Sequence, residues 1–147
     1  MNEYVLKIEN VTQRLDEKKK KKLQVKLFVR LCNKVEEEEN IDINRMIQET
    51  FDLLQEYTQD ESIKKSTYLK SFRELKKHVR EELDFTPKGL LQEEMTGIGI
   101  AIGVAMGSAF VGINPALIGI GLPIGLAIGA SIGKRKEDKA ESEGKTY

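Results

Sequence analysis

Between Met95 and Gly133 the chain runs for 39 consecutive residues without a charged side chain. A surface helix or strand in water carries polar groups on its outward face, so an uncharged run of this length argues for contact with something other than water. The run is about twice the ~20 residues that cross a bilayer as a helix. Asn114-Pro115 stands near its middle, and proline disfavours helical backbone in the residue before it. Division there leaves 96–113 and 115–133, each about 27–28 Å long as a helix, close to the ~30 Å of membrane hydrocarbon. The pattern predicts a helical hairpin that crosses a membrane twice and turns at Asn114 and Pro115.

Glycine placement sharpens this. Ten of the 12 glycines fall between Gly97 and Gly133. Gly99, Gly103 and Gly107 are spaced four apart, as are Gly121, Gly125, Gly129 and Gly133. On a helix each set shares one face, where another backbone can approach closely. Each glycine costs about 1 kcal/mol of helix propensity relative to alanine, which close packing must offset. Gly97, Ala101 and Ala105 form a second small face nearly opposite the first. One face suits the hairpin partner and the other a neighbouring subunit, so the seven zipper glycines are assigned to helix packing and oligomerisation.

Small and bulky residues also alternate, which can be read as membrane strands with one small and one bulky face. Pro123 opposes that reading in a central strand but is tolerated in a membrane helix. A barrel lumen of glycine and alanine would also lack the usual polarity. The G-x-x-x-G pattern occurs in plain anchors as well as in pores, and Thr96, Ser108, Asn114 and Ser131 are the polar side chains at hand to line a path. Lys134, Arg135 and Lys136 follow directly and, by the positive-inside tendency, hold that end in the cytoplasm. The first 25 residues have no apolar signal core, so 1–94 are expected there too.

Residues 1–94 have 19 basic and 20 acidic side chains, no glycine before Gly89 and no proline before Pro87. Helix formers dominate. Apolar stripes at helical spacing run through Tyr4, Ile8, Val11 and Leu15, then Leu23, Leu27, Phe28, Leu31 and Val35. They continue in Ile43, Met46, Ile47, Phe51 and Leu54, and in Ile63, Leu69, Phe72, Leu75, Val79 and Leu83. Asn40 or Asp42 is expected to cap the third stretch, Asp60 the fourth, and Thr86-Pro87 to start a helix running straight into the first apolar segment. Lys18, Lys19, Lys20, Lys21 and Lys22 point in every direction of a helix. They mark a break, a solvated end, or a contact with anionic lipid. The expected fold is all-α, with a cytosolic helical bundle (1–86), a helical connector (87–94), the glycine-zipper transmembrane hairpin (95–133) and a charged cytosolic tail (134–147).

Chemistry is sparse. With 24 basic and 24 acidic residues the chain has no basic excess, so nucleic acid is not an expected partner. One cysteine and one histidine remove internal disulfides, C-x-x-C motifs and His-pair metal sites. Cys32 reads as a packing residue and His78 as a solvated helix residue. No phosphate loop, dinucleotide fingerprint or hydrolase elbow is present. No catalytic residue, metal or cofactor is expected.

The stretch GIGIAIGVAMG…GIGLPIGLAIGASIGKRKEDKAESEGKTY resembles small bacterial glycine-zipper membrane proteins over about residues 96–147. It is similar to membrane-damaging effectors of phage defence. The resemblance implies a bacterial cell-membrane location and a homo-oligomer that forms a pore or disrupts the inner membrane. A protein trigger or partner would act through the helical region. The alternative is a non-toxic anchored adaptor whose bundle recruits a cytosolic protein. A third reading keeps the hairpin out of the bilayer, in a soluble form, until it is triggered.

Overall fold

The computed structural model describes residues 3–38, 40–60, 64–109 and 117–147. Regular structure among these residues is helical: α1 Glu3–Thr12, α2 Glu17–Lys22, α3 Val25–Lys34, α4 Ile41–Asp60, α5 Lys65–Leu83, α6 Leu90–Ala109 and α7 Leu117–Ser142. The chain divides into two compact units, Met1–Phe85 with Tyr147, and Thr86–Thr146.

The first unit packs α4 on α5, α1 on α3 and α4, and α2 on α3. Its core follows the apolar stripes. Ile8, Leu23, Phe28, Leu31, Leu54, Phe72, Leu75 and Val79 are buried almost completely. Phe28 and Phe72 meet at 5.1 Å between ring centroids. Tyr68, absent from the expected stripe, is also fully buried, and its hydroxyl donates to the Leu23 carbonyl at 2.9 Å. That bond answers the polar tip of an otherwise apolar ring. Tyr147 is buried with this core.

Helix limits follow local chemistry. Asn40 caps α4, its Oδ1 accepting from the Ile43 amide at 3.1 Å. Asp16 caps α2 through the Lys19 amide. Asp60 does not start a helix: it is the last residue of α4, α5 begins after Lys64, and Ile63 lies outside the described residues. Thr86-Pro87 does not start one either. Asp84 ends α5 in the left-handed region (φ 56°), Thr86 forms a bridge with Thr146, and Gly89 (φ 90°) precedes the first residue of α6. Glycine alone adopts that φ cheaply, so the turn at Gly89 shortens the expected helical connector to 90–94, which runs on into the apolar segment as part of α6.

In the second unit α6 and α7 pack closely along their length. Residues 134–142 continue α7 rather than forming a separate tail. Gly144 (φ 69°) closes that helix, with the Lys145 amide donating to the Ala140 carbonyl at 2.8 Å. Among the described residues no helix is long and apolar enough to cross a membrane. Glu93 and Glu94 occupy the start of α6, and the last turns of α7 are charged. The apolar stretches left in the helices, 96–109 and 117–133, span about 21 and 26 Å. The expected turn residues Asn114 and Pro115 lie outside the described residues.

Candidate functional site: a glycine seam closed by Glu137

The two glycine runs face each other in antiparallel register. Gly99 meets Gly125 and Gly129, Gly103 meets Gly121 and Gly125, and Gly107 meets Gly121. Each four-residue step along α6 thus matches a four-residue step back along α7. A Cβ on Gly125 would stand 2.8 Å from the Cα of Gly103, and one on Gly133 would stand 2.7 Å from the Cα of Gln92. The obstructing atoms are backbone and cannot rotate aside. Six of the seven zipper glycines are buried and Gly121 is half-buried. Contact of this kind gains dispersion over many atom pairs and lets short Cα–H···O contacts form, which offsets the poor helix propensity of glycine.

The outward faces are different. A Cβ on Gly97 or Gly119 would meet nothing within 4 Å. Gly97, Ala101, Ala105 and Ala109 form an exposed small-residue row on α6; Gly119, Pro123, Ala127 and Ser131 form one on α7. Between the rows and the seam stand bulky apolar side chains, including Ile102 (54% exposed), Met106 (60%), Ile124 (54%) and Ile128 (55%). Those four also flank an apolar groove of about 140 Å³ whose floor is Gly99, Gly103, Gly121 and Gly125. Thr96 and Ser108 direct their hydroxyl protons to the Gln92 and Val104 carbonyls of their own helix. Such internal bonding leaves neither proton for a solute.

The seam runs one step further than the glycines. Glu137 follows Gly133 by four residues and is 7% exposed. Its Oε1 accepts from the Gly89 amide at 2.6 Å, so the carboxylate closes the N-terminus of α6, where the helix dipole favours negative charge. Oε2 is buried without a hydrogen-bond partner among the described residues. Lys88 to Glu141 at 2.6 Å and the Thr86 amide to the Lys145 carbonyl at 2.9 Å complete the clasp. The glycine run itself ends at Gly133. Extending the same spacing by one step reaches Glu137.

The remaining assigned residues are dispersed. Lys134, Arg135 and Lys136 are exposed along α7. Lys18–Lys22 form most of α2, a helix with no buried residue. His78 is half-buried in α5. Cys32 is fully buried, and desolvation pushes its thiol up to about 12. That is opposite to what a nucleophile needs at neutral pH. Among the described residues no group of three His, Cys, Asp or Glu side chains converges on a metal position. Comparison with known proteins finds no matching family model, no matching curated protein and no matching solved structure.

Proposed function

We propose that the chain is an oligomerising, membrane-inserting effector whose hairpin permeabilises a lipid bilayer, with the helical bundle as its controlling module. The observation that carries this reading is an inverted hairpin. Its backbones are buried against each other, while its large apolar side chains face outward. In water that arrangement leaves an extended apolar surface exposed. In lipid it is ordinary, because the drive between helices there is close packing rather than side-chain burial.

Two features favour permeabilisation over plain anchorage. Both helices keep a second small-residue row and the seam keeps an open groove, so copies can nest without displacing the hairpin partner. Thr96 and Ser108 bond their own backbone, which favours bilayer disruption over a channel lined by those two side chains. In a bacterium the target is the inner membrane, entered from the cytoplasmic side with Lys134–Lys136 remaining there.

Dye release from liposomes tests the reading. The full chain is expected to release dye, and a chain with 95–133 replaced by an unrelated two-span hairpin is not. Retention of cellular function by that replacement would favour the adaptor. Absence of release by the unaltered chain on fully inserted liposomes would refute permeabilisation.

A further inference from the structure

The corner between α2 and α3 holds a second candidate site. Gln24 links the two helices in the left-handed region (φ 55°), a conformation that costs a non-glycine residue about 1 kcal/mol or more. The sharp turn it makes folds the lysine helix back toward α3. A cleft of about 520 Å³ opens there, lined by Lys20, Lys21, Lys26 and Arg30 together with Glu17, Gln24 and Leu27. Four cations thus face one carboxylate. That carboxylate already shows how the cations can share an anion: Lys20 lies 3.3 Å and Lys26 4.0 Å from the two oxygens of Glu17.

Further positive charge borders the cleft. Lys76 of α5 donates to Oε1 of Gln24 at 2.9 Å. Burial, and after it the Arg73 guanidinium, holds the Lys76 ammonium below its ordinary value. Gln24 gives α3 no side-chain cap, and the first turn of that helix has no acidic residue. The positive charge at this corner is therefore only partly neutralised. Arg30 supplies a planar fork suited to phosphate oxygens, and the lysines supply mobile point charges around it.

We propose that this cleft binds a phosphate group, carried either by a soluble phosphorylated small molecule or by an anionic lipid headgroup. It needs no assumption about the hairpin, so it stands or falls separately from membrane permeabilisation. Glu17 swings out as phosphate replaces it between Lys20 and Lys26. Lys18 and Lys22, which do not line the cleft, contribute only diffuse attraction.

Binding of the full chain is measured at about 150 mM salt, where diffuse charge is screened beyond about 8 Å. One arm uses inorganic pyrophosphate; the other compares vesicles with and without phosphatidylglycerol. K26A/R30A is expected to weaken binding about ten-fold or more, as loss of charge-assisted hydrogen bonds does. The charge-matched control K18A/K22A should weaken it about two-fold or less. All four positions are exposed, so both variants keep the bundle, as its far-UV circular dichroism would verify. Binding in the pyrophosphate arm identifies a soluble ligand, and phosphatidylglycerol-dependent binding alone identifies a headgroup. Equal losses in the two variants would reduce the cleft to diffuse charge and overturn the proposal, as would absence of binding in both arms.

Discussion

The two units solve the problem of helix packing in opposite ways. In residues 3–85 large side chains turn inward, and Phe28, Phe72 and Tyr68 fill the space between helices. In residues 86–146 the positions between the helices are mostly glycines, with Glu137 at one end, and Ile98, Ile102, Met106, Ile124 and Ile128 face out. The first arrangement draws its stability from removing apolar surface from water. The second removes rather little, so its stability comes from backbone proximity and from whatever covers the outside. Helices of similar length can therefore require different surroundings, depending on which face carries the bulk.

The sharpest way to break this contrast is to add bulk inside the seam. A side chain at Gly103 would collide with the Gly121 and Gly125 backbone. Gly103→Leu should abolish dye release and separate α6 from α7, read as loss of cross-linking between cysteines placed across the seam. The unfolding of the bundle should stay unchanged. Gly97→Leu, made where space is open, should preserve the hairpin cross-link. If Gly97→Leu still lowers release, the outward row is the surface on which copies meet. Equal disruption of the cross-link by both variants would show that the seam is not the packing face.

The converse removes bulk from the bundle. Phe72 is almost fully buried between Phe28 and Tyr68. Phe72→Ala should lower bundle stability by about 3–5 kcal/mol, as large-to-small core substitutions do, read by urea unfolding. Dye release should persist, because the seam shares none of that core. A loss of release as complete as that of Gly103→Leu would mean that the units do not act separately.

Between these lies the clasp at the base of the hairpin. Glu137→Ala leaves the Gly89 amide without its acceptor. The expected cost is about 1–2 kcal/mol, typical of a lost cap or charge-assisted bond. Hydrogen exchange at Gly89 and the first turn of α6 should quicken, while Glu137→Gln, which keeps an oxygen acceptor, should change less. Unaltered exchange in Glu137→Ala would remove the carboxylate from the account of hairpin stability.

Much of this was readable from spacing. The stripe Ile43, Ile47, Phe51, Leu54 is buried as its period implies, and Asn40 caps where a short polar side chain before an apolar stripe should. The glycine runs meet face to face because four-residue spacing leaves a helix no other shared side. Other features were not readable. Tyr68 sits one residue before the expected Leu69 and is buried because a long-range acceptor, the Leu23 carbonyl, meets its hydroxyl. Asp60 looks like a cap, yet α4 continues to it, since aspartate at a helix end is not barred from helical backbone. Glu137 was hidden by its charge. Buried carboxylates are rare without a partner, and its partner is a backbone amide 48 residues away.

The smallest effect separates the units by pH. Cys32 is buried in the bundle, and its thiol is pushed up to about 12 from the 9.0 of an unburied cysteine. Below pH 9 the folded and unfolded states both keep the proton, so this part of the stability is fully present. As pH rises above 9 the unfolded chain releases its proton first, and the contribution declines until the folded thiol also titrates near 12. Each pH unit in that window is worth about 1.4 kcal/mol, so raising the pH from 8 to 10 should cost the bundle about 1 kcal/mol through this group. Urea midpoints at the two pH values would show it, and Cys32→Ala should shrink the difference to what the buried Tyr68 and Tyr147 hydroxyls, also raised by burial, contribute. Residues 86–146 contain neither cysteine nor tyrosine. The seam should therefore hold its cross-link unchanged over the same range, and parallel loss in both units would mean that a group other than Cys32 governs the alkaline response.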